Sequence, residues 1–494
     1  MSYQILTGNC LDHMRTEIAP GSVQCVVTSP PYWGLRDYGI PGCDWADGWH
    51  GVFGNEPTIA KYIAHTLEVF EALGRVLRPD GTIWWDIGDT YATYRGGTTP
   101  PAQTVAGGVG GVGGVGGVKE HRGQMPGYNA SRDKKAHGMG DGNKMLIPYR
   151  VAIALQDAGW CVRQDVIWAK PSPMPESISG WSWKRCLVKT AKGMIAKWSN
   201  SNEVVTKSDK EGPMKPHKTA TWADCPGCAK CEPFDGYVLR RGKWRPTTGH
   251  EVIFQITRGG NYYSDATAAA EPAVKAFQSG RMRRFTGAKL KSTEASTVTT
   301  RASKSFRAHV VEQLQTRNPR SVWRFSSESY TGAHFATYPT QLPFRCLTAS
   351  TSKAGCCASC GSPYAPVVAK VRRPTRPGTN TKVHGREALE VGNRDPQWHV
   401  TATEVSGYRP TCGCPVQPPV PCTIYDPFGG SGTTVQVAHH MGLHGICSEL
   451  SGNYHELIQA RIHKRPKCLD PPAKVKKPRR VIHKQQQHLF PSDR

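Results

Sequence analysis

An α/β fold is predicted by three features of this 494-residue chain. Strand-like and helix-like segments alternate at the start of the sequence, which is the pattern of a sheet covered by helices. One apolar strand then ends in a corner rich in proline, and another ends in a turn rich in glycine. A glycine-rich turn at the carboxyl end of a strand is typical of ligand sites in α/β proteins.

The individual elements follow from local periodicity. YQIL, VQCVVT and TIWWDIG are strand-like, whereas IAKYIAHTLEVFEALGRVL has apolar residues at three-to-four spacing, which predicts an amphipathic helix. RPDG predicts the turn that ends this helix. Later segments continue the alternation, because MLIPYRVAIALQDAGW is helix-like and CVRQDVIWAK and HEVIFQITRG are strand-like.

Composition divides the chain further. The repeat GGVGGVGGVGGV cannot bury a core, which predicts a flexible loop, and the C-terminal segment is rich in Pro, Lys and Gln. In chain order we predict a first core part at 1–94, a glycine-rich loop at 95–143, core at 144–180, a cysteine-containing insertion at 181–249, a core strand at 250–266, a basic region at 267–329, a core segment at 330–350, a second cysteine-containing insertion at 351–415, the last core part at 416–466 and a basic disordered tail at 467–494.

Charge indicates the partner. Lys and Arg total 63 against 38 Asp and Glu, which gives a net charge of +25. Such an excess favours a polyanionic partner, the alternative being a soluble protein that is merely basic. No apolar run approaches the ~20 residues of a membrane span. The start MSYQILTGNC lacks the features of a signal peptide, and we expect a cytoplasmic protein with access to DNA.

The proline corner lies in VVTSPPYWGLRDYG. Pro30 and Pro31 donate no backbone hydrogen bond and fix their own φ, so the strand before them stops in a stiff corner. Taken alone, this stretch favours a structural turn that packs Tyr32 against the core.

The glycine turn lies in TIYDPFGGSGTTVQVAHHMGLHGICSEL, which reads as strand, turn, helix and second strand. Gly429, Gly430 and Gly432 let the backbone approach a ligand closely. Glu449, at the end of the second strand, is placed to accept hydrogen bonds from ribose hydroxyls. A tight loop without a ligand is the alternative, but the order of elements favours a nucleoside cofactor.

DPFGGSGTT together with TSPPY resembles the amino-group-specific DNA methyltransferases that use S-adenosylmethionine, whose motifs are DPFxGSGTT and (S/D/N)PP(Y/F). The order of the two motifs is similar to the β-class of these enzymes, and the resemblance covers about residues 1–95, 145–180, 235–266 and 330–465. It implies a Rossmann-like methyltransferase sheet with a basic target-recognition insertion and a small zinc-ribbon-like insertion. It also implies methyl transfer to the exocyclic amino group of a base in double-stranded DNA.

The resemblance also implies the cofactor contacts. HFATYP matches the segment at the methionine end of the cofactor, and GNCL resembles the family's GDAL segment at the adenine, with Asn9 in place of the usual aspartate. The implied cofactor-binding residues are Asn9, Phe335, Thr337, Asp426, Pro427, Phe428, Gly430, Ser431, Gly432, Thr433 and Glu449.

The implied catalytic residues are Ser29, Pro30, Pro31 and Tyr32. The lone pair of an exocyclic amino group is delocalised into the ring, so acceptors that bind its hydrogens make the nitrogen a better nucleophile. The Ser29 hydroxyl and the Pro30 carbonyl are such acceptors. Pro31 holds that carbonyl towards the site, and Tyr32 can stack on a base that has left the duplex. No strong base or metal is required for this step.

Two groups of cysteines have metal-ligand spacing. Cys357, Cys360, Cys412 and Cys414 could hold one structural zinc in a small ribbon, with Cys356 as a spare thiol. A second group, Cys225, Cys228 and Cys231, offers only three thiolates. His217 or the distant Cys186 could complete it, and free thiols in an insertion are the alternative.

The basic stretch 275–324 contains twelve Lys or Arg and two Glu. It occupies the place of the target-recognition region in the β-class, so Arg281, Arg283 and Arg284 are predicted to contact DNA phosphates. A solvated run without a partner is the alternative.

Serine at the first motif position favours cytosine N4 as the methylated atom, with adenine N6 as the alternative. An RNA or protein amide methyltransferase is less compatible with Ser29 and the basic region. A DNA-binding protein with an inactive core would be a different class, against which the intact motif positions argue. The glycine-rich insertion and basic tail suggest a phage or prophage enzyme without a restriction partner, and an enzyme with a cognate restriction endonuclease is the alternative.

Overall fold

The computed structural model describes residues 3–34, 40–92, 139–140, 142–173, 180–195, 217–272, 316–328, 337–374 and 399–470. Almost all of the predicted glycine-rich loop and most of the predicted basic tail lie outside these ranges. So do four predicted site residues, which are Phe335, Arg281, Arg283 and Arg284. The chain divides into two compact units, which are Met1–Lys170 with His250–Arg494, and Pro171–Gly249.

The strands of the described residues are β1 (Tyr3–Thr7), β2 (Val23–Thr28), β3 (Cys43–Asp44), β4 (His50–Gly51), β5 (Leu77–Ile87), β6 (Cys161–Ala169), β7 (Trp181–Arg185), β8 (Leu187–Ile195), β9 (His217–Asp224), β10 (Tyr237–Arg241), β11 (His250–Thr257), β12 (Glu271–Pro272), β13 (Thr316–Arg317), β14 (Val322–Arg324), β15 (Tyr364–Pro374), β16 (His399–Pro410), β17 (Thr423–Asp426) and β18 (His444–Glu449). The helices are α1 (Cys10–Thr16), α2 (Ile59–Val76), α3 (Ile147–Asp157), α4 (Ala266–Ala269), α5 (Gln341–Ser350), α6 (Thr433–His440) and α7 (His455–Ile462).

The larger unit is built on an eight-stranded sheet in the order β1-β18-β17-β2-β5-β11-β6-β14. All neighbouring pairs are parallel except those of β11, which runs antiparallel between β5 and β6. The predicted α/β fold is therefore confirmed. The parallel strands β1, β18, β17 and β2 end at one edge of the sheet, and the loops after them carry both predicted motifs.

Helices cover both faces of this sheet. Alternate residues of the central strands face opposite ways: Val26 and Trp85 pack with residues of α2 and α3 in one buried cluster. Val27 and Trp84 pack with residues of α5 and α6 in another. Because both faces are buried, the central strands are mainly apolar on both faces, as their sequences predict.

The predicted amphipathic helix is confirmed as α2, which begins after Thr58, whose hydroxyl accepts a hydrogen bond from the Lys61 N–H (3.2 Å). The predicted turn at RPDG has a different form. The helix ends at Val76, and β5 starts at once, so RPDG becomes a bulge within the strand. In the pairing of β2 with β5, Val23 lies opposite Leu77 and Cys25 lies opposite Thr82. The four residues of β5 between Leu77 and Thr82 are therefore left out of the pairing.

The two predicted insertions each form antiparallel strand pairs. In the larger unit β15 pairs with β16, directly between the cysteines of the predicted zinc ribbon. In the smaller unit β7 pairs with β10, and β8 pairs with β9. Across the residues that the structure describes, no helix has the length and apolar character needed to cross a membrane.

Candidate active site

A cavity opens at the sheet edge where β1, β2, β17 and β18 end. Because the loops of four parallel strands meet there, residues far apart in the chain form one wall. The cavity is lined by ten of the predicted site residues, which are Asn9, Ser29, Pro31, Thr337, Pro427, Phe428, Gly430, Ser431, Thr433 and Glu449. Of the other described candidates, Pro30, Tyr32, Asp426 and Gly432 do not line it.

The glycine turn after β17 is folded tightly onto its neighbours. Gly430 and Gly432 have φ values of 53° and 76°, in the left-handed region that favours glycine. A Cβ on Gly429 would lie 3.0 Å from Cβ of Cys447, and one on Gly432 would lie 2.6 Å from Cγ2 of Ile458. Two of the glycines are therefore needed for packing, and Gly430 is the one that combines a left-handed φ with a place in the cavity wall.

Glu449 presents a carboxylate to the cavity from the end of β18. Its Oε2 accepts a hydrogen bond from the Gly430 N–H (2.8 Å), and its Oε1 accepts one from the Ser451 N–H (3.0 Å). Burial raises its pKa to about 7. Each oxygen keeps a second lone pair, so the pair of oxygens fits the two hydroxyls of a ribose.

Asn9 has a structural task as well as a place in the wall. It caps α1, where its Oδ1 accepts a hydrogen bond from the Leu11 N–H (3.0 Å). Asparagine caps a helix about as well as aspartate, so the exchange of aspartate for Asn9 keeps the local structure. The cap uses one lone pair of the amide oxygen, so its second lone pair and the amide NH₂ can both serve a ligand.

Asp426 lies behind the wall and is fully buried. Its carboxylate accepts hydrogen bonds from the Thr28 hydroxyl (2.6 Å), the Tyr338 hydroxyl (2.9 Å) and the Phe428 N–H (3.2 Å). Burial raises its pKa. These bonds join the ends of β2 and β17, so Asp426 fixes the proline corner relative to the glycine turn.

The proline corner is held by tyrosines. The Tyr62 hydroxyl donates to the Pro31 carbonyl (3.2 Å), and the Ser29 hydroxyl donates to the Tyr32 hydroxyl (3.1 Å). The ring of Tyr32 packs against Gly88, the residue after the end of β5. A Cβ atom on Gly88 would lie only 2.5 Å from Cε2 of this ring. Ser29 thus lines the cavity, while the ring of Tyr32 lies beside it.

Two acids that sequence reasoning missed, the buried Asp86 and the half-buried Glu251, lie next to this corner. The Tyr32 hydroxyl donates to Glu251 Oε2 (3.3 Å) and contacts Asp86 Oδ2 (3.5 Å). Burial, followed by the charge of Glu251, raises the pKa of Asp86 well above its usual range. Lys170 forms an ion pair with Glu251 (Nζ to Oε1, 2.5 Å). The available signal was the aspartate in WWDIG, which ends an otherwise apolar strand.

The structure also brings together two sets of four cysteines. Within each set, all four sulfur atoms lie within 4.8 Å of one another. The first set is Cys357, Cys360, Cys412 and Cys414, and the second is Cys186, Cys225, Cys228 and Cys231. Four convergent thiolates fit tetrahedral zinc. The prediction of Cys356 as a spare thiol is wrong, because Cys356 forms a disulfide with Cys422.

Comparison with known proteins agrees with these motifs. A family model described as DNA methylase, of the N6/N4 type, matches residues 23–358. The type II methyltransferase M.XycI of Xanthomonas campestris pv. cyanopsidis is 28% identical over 348 residues, which are 70% of this chain and 72% of that protein. The type II methyltransferase M.Cfr9I of Citrobacter freundii is 27% identical over the same shares of the two chains.

Among solved structures, PvuII DNA methyltransferase (cytosine-N4-specific) aligns with a TM-score of 0.41 and 12% identity, over 93% of this chain and 86% of that one. The family assignment rests on the sequence comparisons, since the matched model covers most of the chain. The predicted resemblance is confirmed. The chain belongs to the N6/N4 DNA methylase family and is an S-adenosylmethionine-dependent DNA methyltransferase.

Proposed function

We propose that this enzyme methylates the N4 amino group of cytosine in double-stranded DNA, as the modification enzyme of a type II system. The observation that carries the proposal is the position of Ser29. Ser29 lines the same cavity as Glu449 and the glycine turn, which supports a role for its hydroxyl as acceptor for an amino group beside the cofactor. Serine at this motif position favours cytosine over adenine, and adenine N6 is the second candidate.

The residues in the cavity fit S-adenosylmethionine. Glu449 would accept hydrogen bonds from the ribose hydroxyls, Asn9 would bind the adenine, and Thr337 would line the methionine end together with Phe335, which lies outside the described residues. The Gly430 backbone would allow close approach. When bound there, the cofactor supplies a methyl group activated by its sulfonium.

The proline corner would orient the target base. Ser29 Oγ and the Pro30 carbonyl would accept hydrogen bonds from the amino group, which directs its nitrogen lone pair towards the methyl group. The ring of Tyr32 would stack on the extruded base. The bond from the Tyr62 hydroxyl to the Pro31 carbonyl keeps the corner rigid, so the acceptors need no rearrangement when the base arrives.

As the amino nitrogen gains a methyl group, it must lose one proton. We assign this proton to Asp86, which lies next to Tyr32. The Ser29 hydroxyl would accept the proton from the amino group and pass its own proton to the Asp86 carboxylate, to which it is hydrogen-bonded. Only the ionised carboxylate can accept the proton. Since the pKa of Asp86 is raised, kcat should increase with pH through that raised pKa, and Asp86→Asn should remove this dependence.

Product analysis tests the proposal directly. The protein is incubated with S-adenosylmethionine and duplex DNA, the DNA is digested, and the nucleosides are separated by mass spectrometry. We expect N4-methylcytosine. N6-methyladenine would select the second candidate, and the absence of both with an intact cofactor affinity would indicate a DNA-binding protein without activity. If the methylated DNA is protected from a restriction endonuclease, the recognition sequence of that endonuclease identifies the sequence that the methyltransferase modifies.

The cysteines of the larger unit would hold a structural zinc. Cys357 and Cys360 precede β15, and Cys412 and Cys414 follow β16, so the metal would close the base of this strand pair. Arg78 connects the site to the start of β5, since its guanidinium donates to the Cys360 carbonyl (2.6 Å). DNA binding would also involve Arg281, Arg283 and Arg284, which lie outside the described residues.

A further inference from the structure

The smaller unit, Pro171–Gly249, contains the second set of cysteines. Cys186 directly follows β7, whereas Cys225, Cys228 and Cys231 lie in the segment between β9 and β10. The sequence alone left the fourth position of this set open between Cys186 and His217.

The sulfur positions match a metal centre and not a disulfide. The sulfur of Cys228 lies 3.5 Å from that of Cys231 and 3.9 Å from that of Cys186. Four thiolates at about 2.3 Å around a tetrahedral zinc are about 3.8 Å apart, whereas bonded sulfurs are about 2.05 Å apart. Backbone bonds hold this arrangement, because the Cys225 N–H donates to the Cys186 carbonyl (2.8 Å).

His217 occupies the wrong end of its strand. His217 is the first residue of β9, where it pairs with Ile195 of β8. Cys225 follows the last residue of β9, Asp224, which pairs with Leu187 at the opposite end of the strand pair. An eight-residue strand spans about 26 Å. Cys186 follows directly after β7 and is hydrogen-bonded to the cysteine-rich segment, so it is the residue that completes the set.

The described residues of this unit offer little else to hold it together. Among its described side chains Cys231 alone is buried, while Trp181, Trp183, Trp222 and Trp244 are exposed. Small units that cannot bury an apolar core usually depend on disulfides or a bound metal for their stability. The four cysteines of this unit are free thiols, which leaves the metal as the source of stability.

We propose that Cys186, Cys225, Cys228 and Cys231 bind one structural zinc, and that this zinc folds the smaller unit. It is a second metal site, separate from that of Cys357, Cys360, Cys412 and Cys414. The zinc replaces a hydrophobic core, because it ties the end of β7 to the segment that leads into β10.

Zinc content of the full chain tests this proposal. Purified wild-type protein should contain about two zinc ions per chain, and the Cys186→Ser variant should contain one fewer. Cys161→Ser is the matched control, because it changes a half-buried thiol outside both sets, and it should keep both zinc ions. Cys186→His should retain the second zinc, since imidazole can replace a thiolate.

A second readout separates metal loss from general unfolding. In Cys186→Ser, limited proteolysis should cut within residues 171–249, while cofactor affinity, which belongs to the larger unit, should stay within about twofold of the wild type. Unchanged zinc content in Cys186→Ser would overturn the proposal. So would a wild-type unit that resists protease equally before and after zinc is removed by a chelator.

A different observation gives this unit a partner. On one face of the β7–β10 pair, Trp181 lies opposite Arg241, and Arg185 lies opposite Tyr237. Each guanidinium covers the opposite ring, at 5.1 Å and 5.2 Å from the ring centre. The described residues of the unit carry ten Lys or Arg against three Asp or Glu. The surface is therefore positive and aromatic, and it is exposed.

We infer that this two-stranded face contacts duplex DNA, an inference that rests on the proposed function. A two-stranded ribbon fits the major groove, and its arginines can neutralise phosphates. Replacing Arg185 and Arg241, the two arginines of this face, with Gln should make the slope of log affinity against log salt shallower by about 1.8, or about 0.9 per lost contact. Lys353→Gln, an exposed lysine of the larger unit, should leave the slope unchanged.

An unchanged slope in the Arg185→Gln/Arg241→Gln variant would overturn this inference. If the wild type still forms N4-methylcytosine in that case, only the DNA contact of the ribbon is wrong. If the wild type forms no methylated base, the proposed function is wrong instead. The two failures are thus distinguished by one additional product measurement.

Discussion

The proline corner after β2 and the glycine turn after β17 end neighbouring strands, yet they are built in opposite ways. Cys25 and Val26 of β2 pair with Ile424 and Tyr425 of β17, so the two ends stop at the same level of the sheet. The corner is rigid because proline restricts its backbone. The turn is compact because side chains are absent, and Gly430 and Gly432 adopt left-handed conformations.

This difference follows from what each loop must provide. The corner must hold hydrogen-bond acceptors in fixed positions for an incoming base, whereas the turn must bring backbone close to a cofactor. Asp426 joins the two, since its carboxylate accepts from the Thr28 hydroxyl before the corner and from the Phe428 N–H within the turn. We therefore interpret Asp426 as a positioning residue that sets the distance between base and cofactor.

The largest effect is expected from the turn. Gly430→Val should abolish detectable cofactor binding in calorimetry, because a branched side chain is strained at a φ of 53° and would fill the cavity wall. Gly442→Val is the matched control. Its φ is 78° and no atom lies within 4 Å of its Cβ position, so it should lower stability without changing cofactor affinity. Normal affinity in Gly430→Val would remove the turn from the cofactor site.

The corner should affect turnover instead of cofactor binding. Ser29→Ala should lower kcat by about 10²-fold, the effect of losing one preorganised hydrogen-bonding group at a reacting centre. Cofactor affinity should change by less than a few-fold, because the turn is intact. Equal losses of kcat and cofactor affinity would show that the two loops do not have separate tasks.

Two substitutions of Tyr32 distinguish the contribution of its ring from that of its hydroxyl. Tyr32→Ala should lower kcat/KM by about 10- to 100-fold, since stacking on a base contributes about 1–3 kcal/mol. Tyr32→Phe should keep most of the activity, because it retains the ring and loses only the hydroxyl's contacts with Ser29, Asp86 and Glu251. If Tyr32→Phe is as defective as Tyr32→Ala, the hydroxyl network and not stacking is the essential feature.

Much of this site could be predicted from sequence because both loops depend on local chemistry. Proline and glycine dictate backbone conformation wherever they occur, and the strand-turn-helix order identified Glu449. Asp86, Glu251 and Lys170 were missed because they meet only through the pairing of β5, β11 and β6. Asp426 was predicted to bind the cofactor, but its burial between two strands depends on contacts that no local pattern contains.

The smallest effect expected concerns pH and the acid of the turn. Burial raises the pKa of Glu449 to about 7, so the carboxyl is protonated below that pH. Ribose hydroxyls donate to the ionised form, so cofactor binding must release a proton there. Cofactor affinity should therefore be constant above about pH 7 and weaken below it, by at most tenfold per pH unit.

Calorimetry in a series of buffers on both sides of pH 7 measures this dependence. Glu449→Gln should bind the cofactor more weakly and without the change at pH 7, because an amide does not titrate. Glu71→Gln, a change of an exposed residue on α2, should keep the wild-type dependence. If Glu449→Gln retained the wild-type pH profile, another group would control the affinity, and the acid would belong to the packing of the turn in the same way as Asp426.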